Sequence, residues 1–195
     1  MVGKFIEAKE KALTTLYKEM RKGKVDKDLT LLLEKINKTE NFFTTNSCSG
    51  RILLLEIPEI GDKKEARFIG KWHGQVTKHD LISKIKESKK GTIWLLAQPL
   101  VIHIGAKNLE NAIALMKVAN ESGFKNTFIK SIGKNRIIIE ICGTERMDAP
   151  IGENGILTCN MEHLELLVKT ANEVIKKSKN KLDRLERNLD LKLKI

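Results

Sequence analysis

The final third of the chain carries the pattern that most restricts its fold. Leu164, Val168, Ala171, Ile175, Ser178, Leu182, Leu185 and Leu189 follow one another in steps of four and three. That spacing puts one side chain per turn on a single stripe, so the segment reads as a long helix with a coiled-coil-like seam and one polar position. Asn160 supplies an N-cap oxygen for the first free N–H groups. A stripe of this length needs a cover. Its partner is either a second subunit or the amphipathic helix expected over the first twenty residues, where Phe5, Ala8, Ala12, Leu16 and Met20 recur at helical spacing.

Between these helices the signals alternate. Gly23 ends the first helix, and Asp26 or Asp28 can cap the next, whose apolar run LTLLLEKI continues towards Asn41. RILLLEI reads as a strand covered on both faces, and EIGDKKEARFIGKWHG as a loop followed by a strand. DLISKIKESKKG is a short helix closed by Gly91. TIWLLAQPLVIHIG is extended on both sides of Pro99, which has no N–H for a ladder and marks an edge or a bend. Asn108 caps a helix that runs to Gly123, and FKNTFIKSIG and RIIIEICG are adjacent strands joined through Gly133 and Lys134. MDAPIGENG reads as a loop before the short strand ILTC.

This order predicts an α+β fold, with a mixed β-sheet, packed helices and long terminal helices. No GxGxxG follows the first strand, so a Rossmann-like sheet is not expected. Neither a repeat nor a dividing linker interrupts residues 1–195, which predicts a single domain.

Charge narrows the class of partner. The formal net charge is +11, and from Lys169 onward nine Lys or Arg stand against four acids. Such a balance favours polyanions without identifying one. No apolar run approaches a membrane span, and MVGKFIEAKEKALTTLYKEM lacks the apolar core of a signal peptide. Three scattered cysteines form neither a disulfide framework nor a metal-ligand pattern, so a reducing cytoplasm and no metal are expected.

Several residues carry more chemistry than packing needs. TTNSCSGR, from Thr44 to Arg51, crowds hydroxyls, an amide, a thiol, a glycine and a guanidinium onto the threshold of an apolar strand. It reads either as a tight connection or as a polar binding loop. Thr45, Ser47 and Ser49 can bond a ligand or their own backbone, Gly50 permits close approach, and Arg51 suits a phosphate or carboxylate. Cys48 would be a nucleophile only with a lowered pKa. Lys71, Trp72, His73 and His79 form a second cluster, in which an indole can stack and imidazoles can move protons. His103 lies in the strand alternation LVIHIG, as either a core residue or a functional one.

FFTTNSCSGRILLLE, taken with the Trp-His segment, QPLVIHIGAKNL, ESGFKN and the segment near Pro150, resembles the tRNA wybutosine-synthesizing methyltransferase family. The matches keep their order from about Asp26 to the last helix. The family's Ser-Ser-Cys-Ser-Gly-Arg block falls on Asn46 to Arg51, with asparagine in place of its first serine. Its Trp and His positions look like Trp72 and His79, and its strand histidine like His103.

The resemblance implies an archaeal, S-adenosylmethionine-dependent enzyme with a fold that is not Rossmann-like. Its implied partner is tRNA-Phe bearing a wyosine precursor, methylated at N4 of the aminocarboxypropyl-demethylwyosine base at position 37. It further implies binding roles for Thr45, Ser47, Cys48, Ser49, Gly50, Arg51, Trp72 and His73, and a proton acceptor at His79 or His103. The competing expectation is a modified-tRNA-binding protein that moves no methyl.

Overall fold

The computed structural model describes residues 2–61, 64–134 and 136–193. Asp62 and Lys63 of the expected loop, Asn135 of the expected hairpin and Lys194 of the basic tail lie outside the described residues. The chain opens with α1 (Val2–Arg21), a 3-10 turn at Lys27–Leu29, α2 (Thr30–Lys38), β1 (Phe42–Cys48), β2 (Arg51–Ile57) and β3 (Arg67–Trp72). It continues through α3 (Lys78–Ile85), β4 (Thr92–Gln98), β5 (Val101–Ala106), α4 (Leu109–Glu121), β6 (Asn126–Ile132) and β7 (Ile137–Cys142). β8 (Met147–Glu153), β9 (Ile156–Leu157) and the long α5 (Met161–Leu193) complete it.

These elements form two compact units. The first contains Met1–Ser49, Leu100–Thr144 and Lys179–Ile195, and the second Gly50–Pro99 and Glu145–Ser178. The first unit holds a sheet of strand order β1-β5-β7-β6, and the second a sheet of order β3-β2-β4-β8-β9. The α+β class is as expected and is not Rossmann-like. The single mixed sheet is corrected to two sheets in which, among the described residues, every pairing is antiparallel. β3–α3–β4 and β5–α4–β6 are crossovers within one sheet, but β2 and β7 lie between the strands they join, so no parallel pair is hydrogen-bonded among the described residues. The links β1–β2 and β4–β5 instead leave one sheet and enter the other. Pro99 sits at one of those passages, where a missing N–H breaks no ladder.

Each unit closes its own core. In the first, Leu29, Leu32, Leu33 and Ile36 beside α2 meet Ile102, Ile104, Ile139 and Ile141 of the sheet and Ala112 and Leu115 of α4. In the second, Ile52, Leu54, Ile93 and Leu95 meet Leu81 and Ile85 of α3. The α5 seam serves both cores: Leu164, Val168, Ala171 and Ile175 enter the second, and Leu182, Leu185 and Leu189 the first. All eight seam positions are buried, and each buried Leu or Ile contributes about 1.5–3 kcal/mol. The stripe is therefore covered by sheet and helix within each unit, while α1 packs on β1 through an edge-to-face contact of Phe5 with Phe43, centroids 5.2 Å apart.

Several local expectations are met. Asn108 Oδ1 accepts from the Asn111 N–H at 2.9 Å, and Asn160 Oδ1 from the His163 N–H at 2.8 Å. Others change. The helix expected to reach Gly91 stops at Ile85. MDAPIGENG is mostly strand β8, with Pro150 opposite Trp94 at a register shift and beyond the reach of β9, so its absent N–H costs no pairing. TTNSCSGR is likewise strand rather than loop: β1 runs to Cys48 and β2 begins at Arg51, leaving Ser49 and Gly50 as the whole connection. Gly50 takes φ 100°, a conformation open to glycine at little cost.

Candidate functional site

In the first unit, β1 is an edge strand, and α1 lies beside it. Between them is a groove of about 540 Å³ lined by Lys11, Thr15, Lys24, Arg136 and the strand residues Thr44 to Ser47, over an apolar side of Ala8, Ala12 and Leu16. That size suits a small ligand. Glu19 also lines it, 2.8 Å from Lys22 and 3.6 Å from Lys24. The Lys22 hydrogen bond holds the Glu19 carboxyl below its ordinary range.

β1 is shaped from both sides. Asn37 of α2 donates from Nδ2 to Thr44 Oγ1 and accepts from the Thr44 N–H through Oδ1, both at 2.8 Å. This buried bridge satisfies an edge N–H that would otherwise be orphaned. The register then shifts between Thr44 and Asn46, so Thr45 is the extra residue of a bulge and both Thr45 and Asn46 stay exposed. Farther along, the Ser49 N–H and hydroxyl both donate to Asp26 Oδ2, at 2.7 and 3.0 Å. Asp26, expected as a helix cap, makes no side-chain cap bond and anchors the end of β1 instead.

His103 stands opposite Asn46 on β5, and Glu140 of β7 stands opposite His103. Directly opposed residues share a face, so the row brings the imidazole and the carboxylate together. His103 Nε2 and Glu140 Oε2 are 2.8 Å apart, and Lys130 Nζ lies 2.5 Å from the same oxygen and 3.2 Å from His103 Nε2. The Lys130 bond is the largest influence on Glu140; with His103 it outweighs burial and holds the carboxyl below its usual range. Thr45 Oγ1 donates to the His103 carbonyl at 3.4 Å.

The first unit thus gathers Thr45, Ser47 and His103 around one edge strand, with Cys48 half-buried opposite Val101 and Ser49 buried. In the second unit, Arg51 Nε donates to Gln98 Oε1 at 2.9 Å across the β2–β4 pair, which orients the guanidinium. Trp72 is half-buried and lies over Gly70, where an added Cβ would come 2.1 Å from the ring. His73 follows it, exposed, and His79 is exposed on the first turn of α3 behind the Thr77–Asp80 capping box. Asn172 of α5 brackets Val76 N–H and carbonyl at 2.9 Å each, pinning the segment between His73 and α3.

Sequence reasoning missed Lys11, Arg136, Lys130, Glu140 and Asp26. For Glu140 a signal existed: it is the one acid within the apolar strand RIIIEICG, as His103 is the one imidazole in LVIHIG. Lys11 and Arg136 carried none, because surface cations are abundant and only the fold picks out those that border the groove.

The sequence model of a family described as Methyltransferase TYW3 matches residues 7–191. A Pyrococcus furiosus protein is 46% identical over 186 residues, 95% of each chain, and is named tRNA(Phe) 7-((3-amino-3-carboxypropyl)-4-demethylwyosine(37)-N(4))-methyltransferase 1. A Methanocaldococcus jannaschii protein named for the same methyl transfer is 35% identical over 187 residues, 95% of this chain and 97% of its own. A solved structure from Pyrococcus horikoshii superimposes with a TM-score of 0.92 at 44% identity, covering 96% of this chain and 97% of that one.

Proposed function

The chain belongs to the Methyltransferase TYW3 family, and from that premise we propose that it methylates N4 of the aminocarboxypropyl-demethylwyosine base at position 37 of tRNA(Phe). The observation that carries this reading is the family match over residues 7–191, joined to relatives named for that reaction. Their names favour catalysis over a binding module that moves no methyl. In this reading the methyl donor is S-adenosylmethionine, the enzyme works in the cytoplasm beside its tRNA, and the two units act as one domain. No helix among the described residues is long and apolar enough to cross a membrane.

The groove beside β1 fits such a donor chemically. When bound, S-adenosylmethionine supplies an electrophilic sulfonium methyl. Lys11 and Arg136 are cations for its carboxylate, Thr45 and Ser47 offer hydroxyls, and Ala8, Ala12 and Leu16 give an apolar side for the adenine. Ser49, whose N–H and hydroxyl both donate to Asp26, holds the strand end rather than a ligand. Gly50 makes the turn, and Cys48 packs and positions, since methyl transfer needs no thiol. In the second unit Arg51 clamps a carboxylate or phosphate of the substrate, and Trp72 and His73 bind its base.

The chemistry then rests mainly on positioning, which turns a bimolecular encounter into an effectively unimolecular one. N4 must also lose its proton. With Nε2–H directed to Glu140, the tautomer assigned from that bond leaves His103 Nδ1 as the acceptor. His79, exposed on α3, is the competing base.

The experiment is to incubate the protein with S-adenosylmethionine and precursor-bearing tRNA(Phe), then digest the RNA and weigh the modified nucleoside. One added methyl is expected; no gain in mass overturns the reading. Full transfer by His103→Ala with loss in His79→Ala would move the base to α3.

A further inference from the structure

The hairpin of β6 and β7 carries a feature that methyl transfer does not use. From Lys125 to Arg136 the chain has four cations, Lys125, Lys130, Lys134 and Arg136, and no acid. Lys130 is paired with Glu140, whereas Lys134 and Arg136 meet no carboxylate among the described residues. On the same strand, Phe128 is 46% exposed and Ile132 73% exposed. Phe128 lies opposite Glu140, which extends the row of Asn46, His103 and Glu140 to the outer edge of the sheet.

We propose that this edge of the first unit is an RNA-docking strip, in which Phe128 stacks on an unpaired base while Lys125 and Lys134 follow the adjoining phosphates. The inference rests on the tRNA substrate of the reading above and adds where that substrate is held. Two physical points choose the occupant. The segment's four cations outnumber the acids they meet, Glu140 at Lys130 and Glu121 near Lys125, and that excess matches a polyanion, while the exposed ring beside them matches a nucleobase, whose flat face stacks whatever its sequence. Bases within a duplex are already stacked, so the ring needs a loop or a single strand. Arg136, just before β7, also lines the groove beside β1, so RNA held along the strip leads to that groove.

The test measures binding of unmodified tRNA(Phe) transcript, its isolated anticodon stem–loop and an RNA duplex of equal length. Phe128→Ala should weaken the stem–loop about tenfold and leave the duplex unchanged. Lys125→Gln with Lys134→Gln should weaken both RNAs and lower the salt dependence by about 0.7 to 0.9 per cation removed. All three positions are on the surface, so unchanged thermal unfolding is expected and checks that the variants are folded. Equal stem–loop affinity in folded Phe128→Ala overturns the proposal, as does an equal loss on loop and duplex. A change in sedimentation without any change in RNA affinity also overturns it, since the strip would then join two copies. Intact RNA binding without methyl gain would sink the enzymatic reading alone; intact methylation with unaltered affinity in Phe128→Ala would sink this one alone.

Discussion

Glu56 and Glu140 occupy corresponding situations in the two units, and they differ in the groups that hold them. Both are acids in otherwise apolar strands, and both are held below the usual carboxylate range. For Glu56, burial is the largest influence and pushes its carboxyl up. Hydrogen bonds from Arg67 and from the Lys89 and Lys90 N–H groups overcome burial and bring the carboxyl to about 2. The Lys89 N–H lies 2.5 Å away, and Arg67 Nε 3.2 Å. Backbone donors cannot leave without unfolding the loop. Glu140 instead is bonded by two side chains, Lys130 and His103, that can exchange protons or partners. Glu56 thus has, besides Arg67, two backbone donors that Glu140 lacks, and this difference in donors, more than the direction of the pKa, sets the two carboxylates apart.

The strongest test of that contrast removes the buried anion. Glu56→Ala should destabilise the protein by about 3 kcal/mol, measured by urea unfolding, with methyl transfer normal in the folded fraction. The pH dependence has a definite sign. The folded carboxyl sits at about 2 against an ordinary 4.5, so its stabilisation is whole above about pH 4.5 and is lost as pH falls towards 2. Glu56→Gln should flatten that acid limb; an unaltered limb would remove Glu56 from its anchoring role.

The counterpart experiment should show the opposite balance. His103→Ala should lower turnover about 100-fold while shifting stability by no more than about 1 kcal/mol. Glu140→Gln should lower it less, since the imidazole remains. If Glu140→Gln destabilised the fold as much as Glu56→Ala, the two glutamates would be equivalent and the contrast would fail.

A matched pair of glycines sharpens the comparison further. Gly70 in the second unit lies under Trp72, and Gly105 in the first under Phe43, where added Cβ atoms would come 2.1 and 2.7 Å from the rings. Alanine at either position should cost about 2 kcal/mol through overpacking, read from thermal unfolding, with Gly70→Ala the worse of the two. The smallest effect is expected where charge pairs are exposed. Lys192 and Glu121 are 47% and 37% exposed, so Lys192→Ala should change stability by less than about 0.5 kcal/mol.

How much of this could be read beforehand depends on the range of the interaction. The α5 stripe, the Asn108 and Asn160 caps and the glycine turn at Gly123 follow from residues within a few positions of one another, and all are present. TTNSCSGR reads as a connection or loop and MDAPIGENG as a loop, because small polar residues, Pro and Gly signal turns when their pairing partners are unknown. β1 is a strand because Val101 to Ala106 stand beside it, and β8 because Thr92 to Ala97 do. Asp26 could be named as an acid near a helix start, but its preference for Ser49 required the end of β1 to arrive.

The sequence by itself determined the helices, their capped ends, the basic balance and, through the ordered TTNSCSGR-to-Pro150 pattern, the family. Those rest on local periodicity and residue type. Only the tertiary structure decided that the strands form two antiparallel sheets, that Asn46, His103, Glu140 and Phe128 make one row, and that Lys11 and Arg136 border a groove. Strand register joins residues far apart in the chain, and no short-range preference specifies which of several apolar strands will be neighbours.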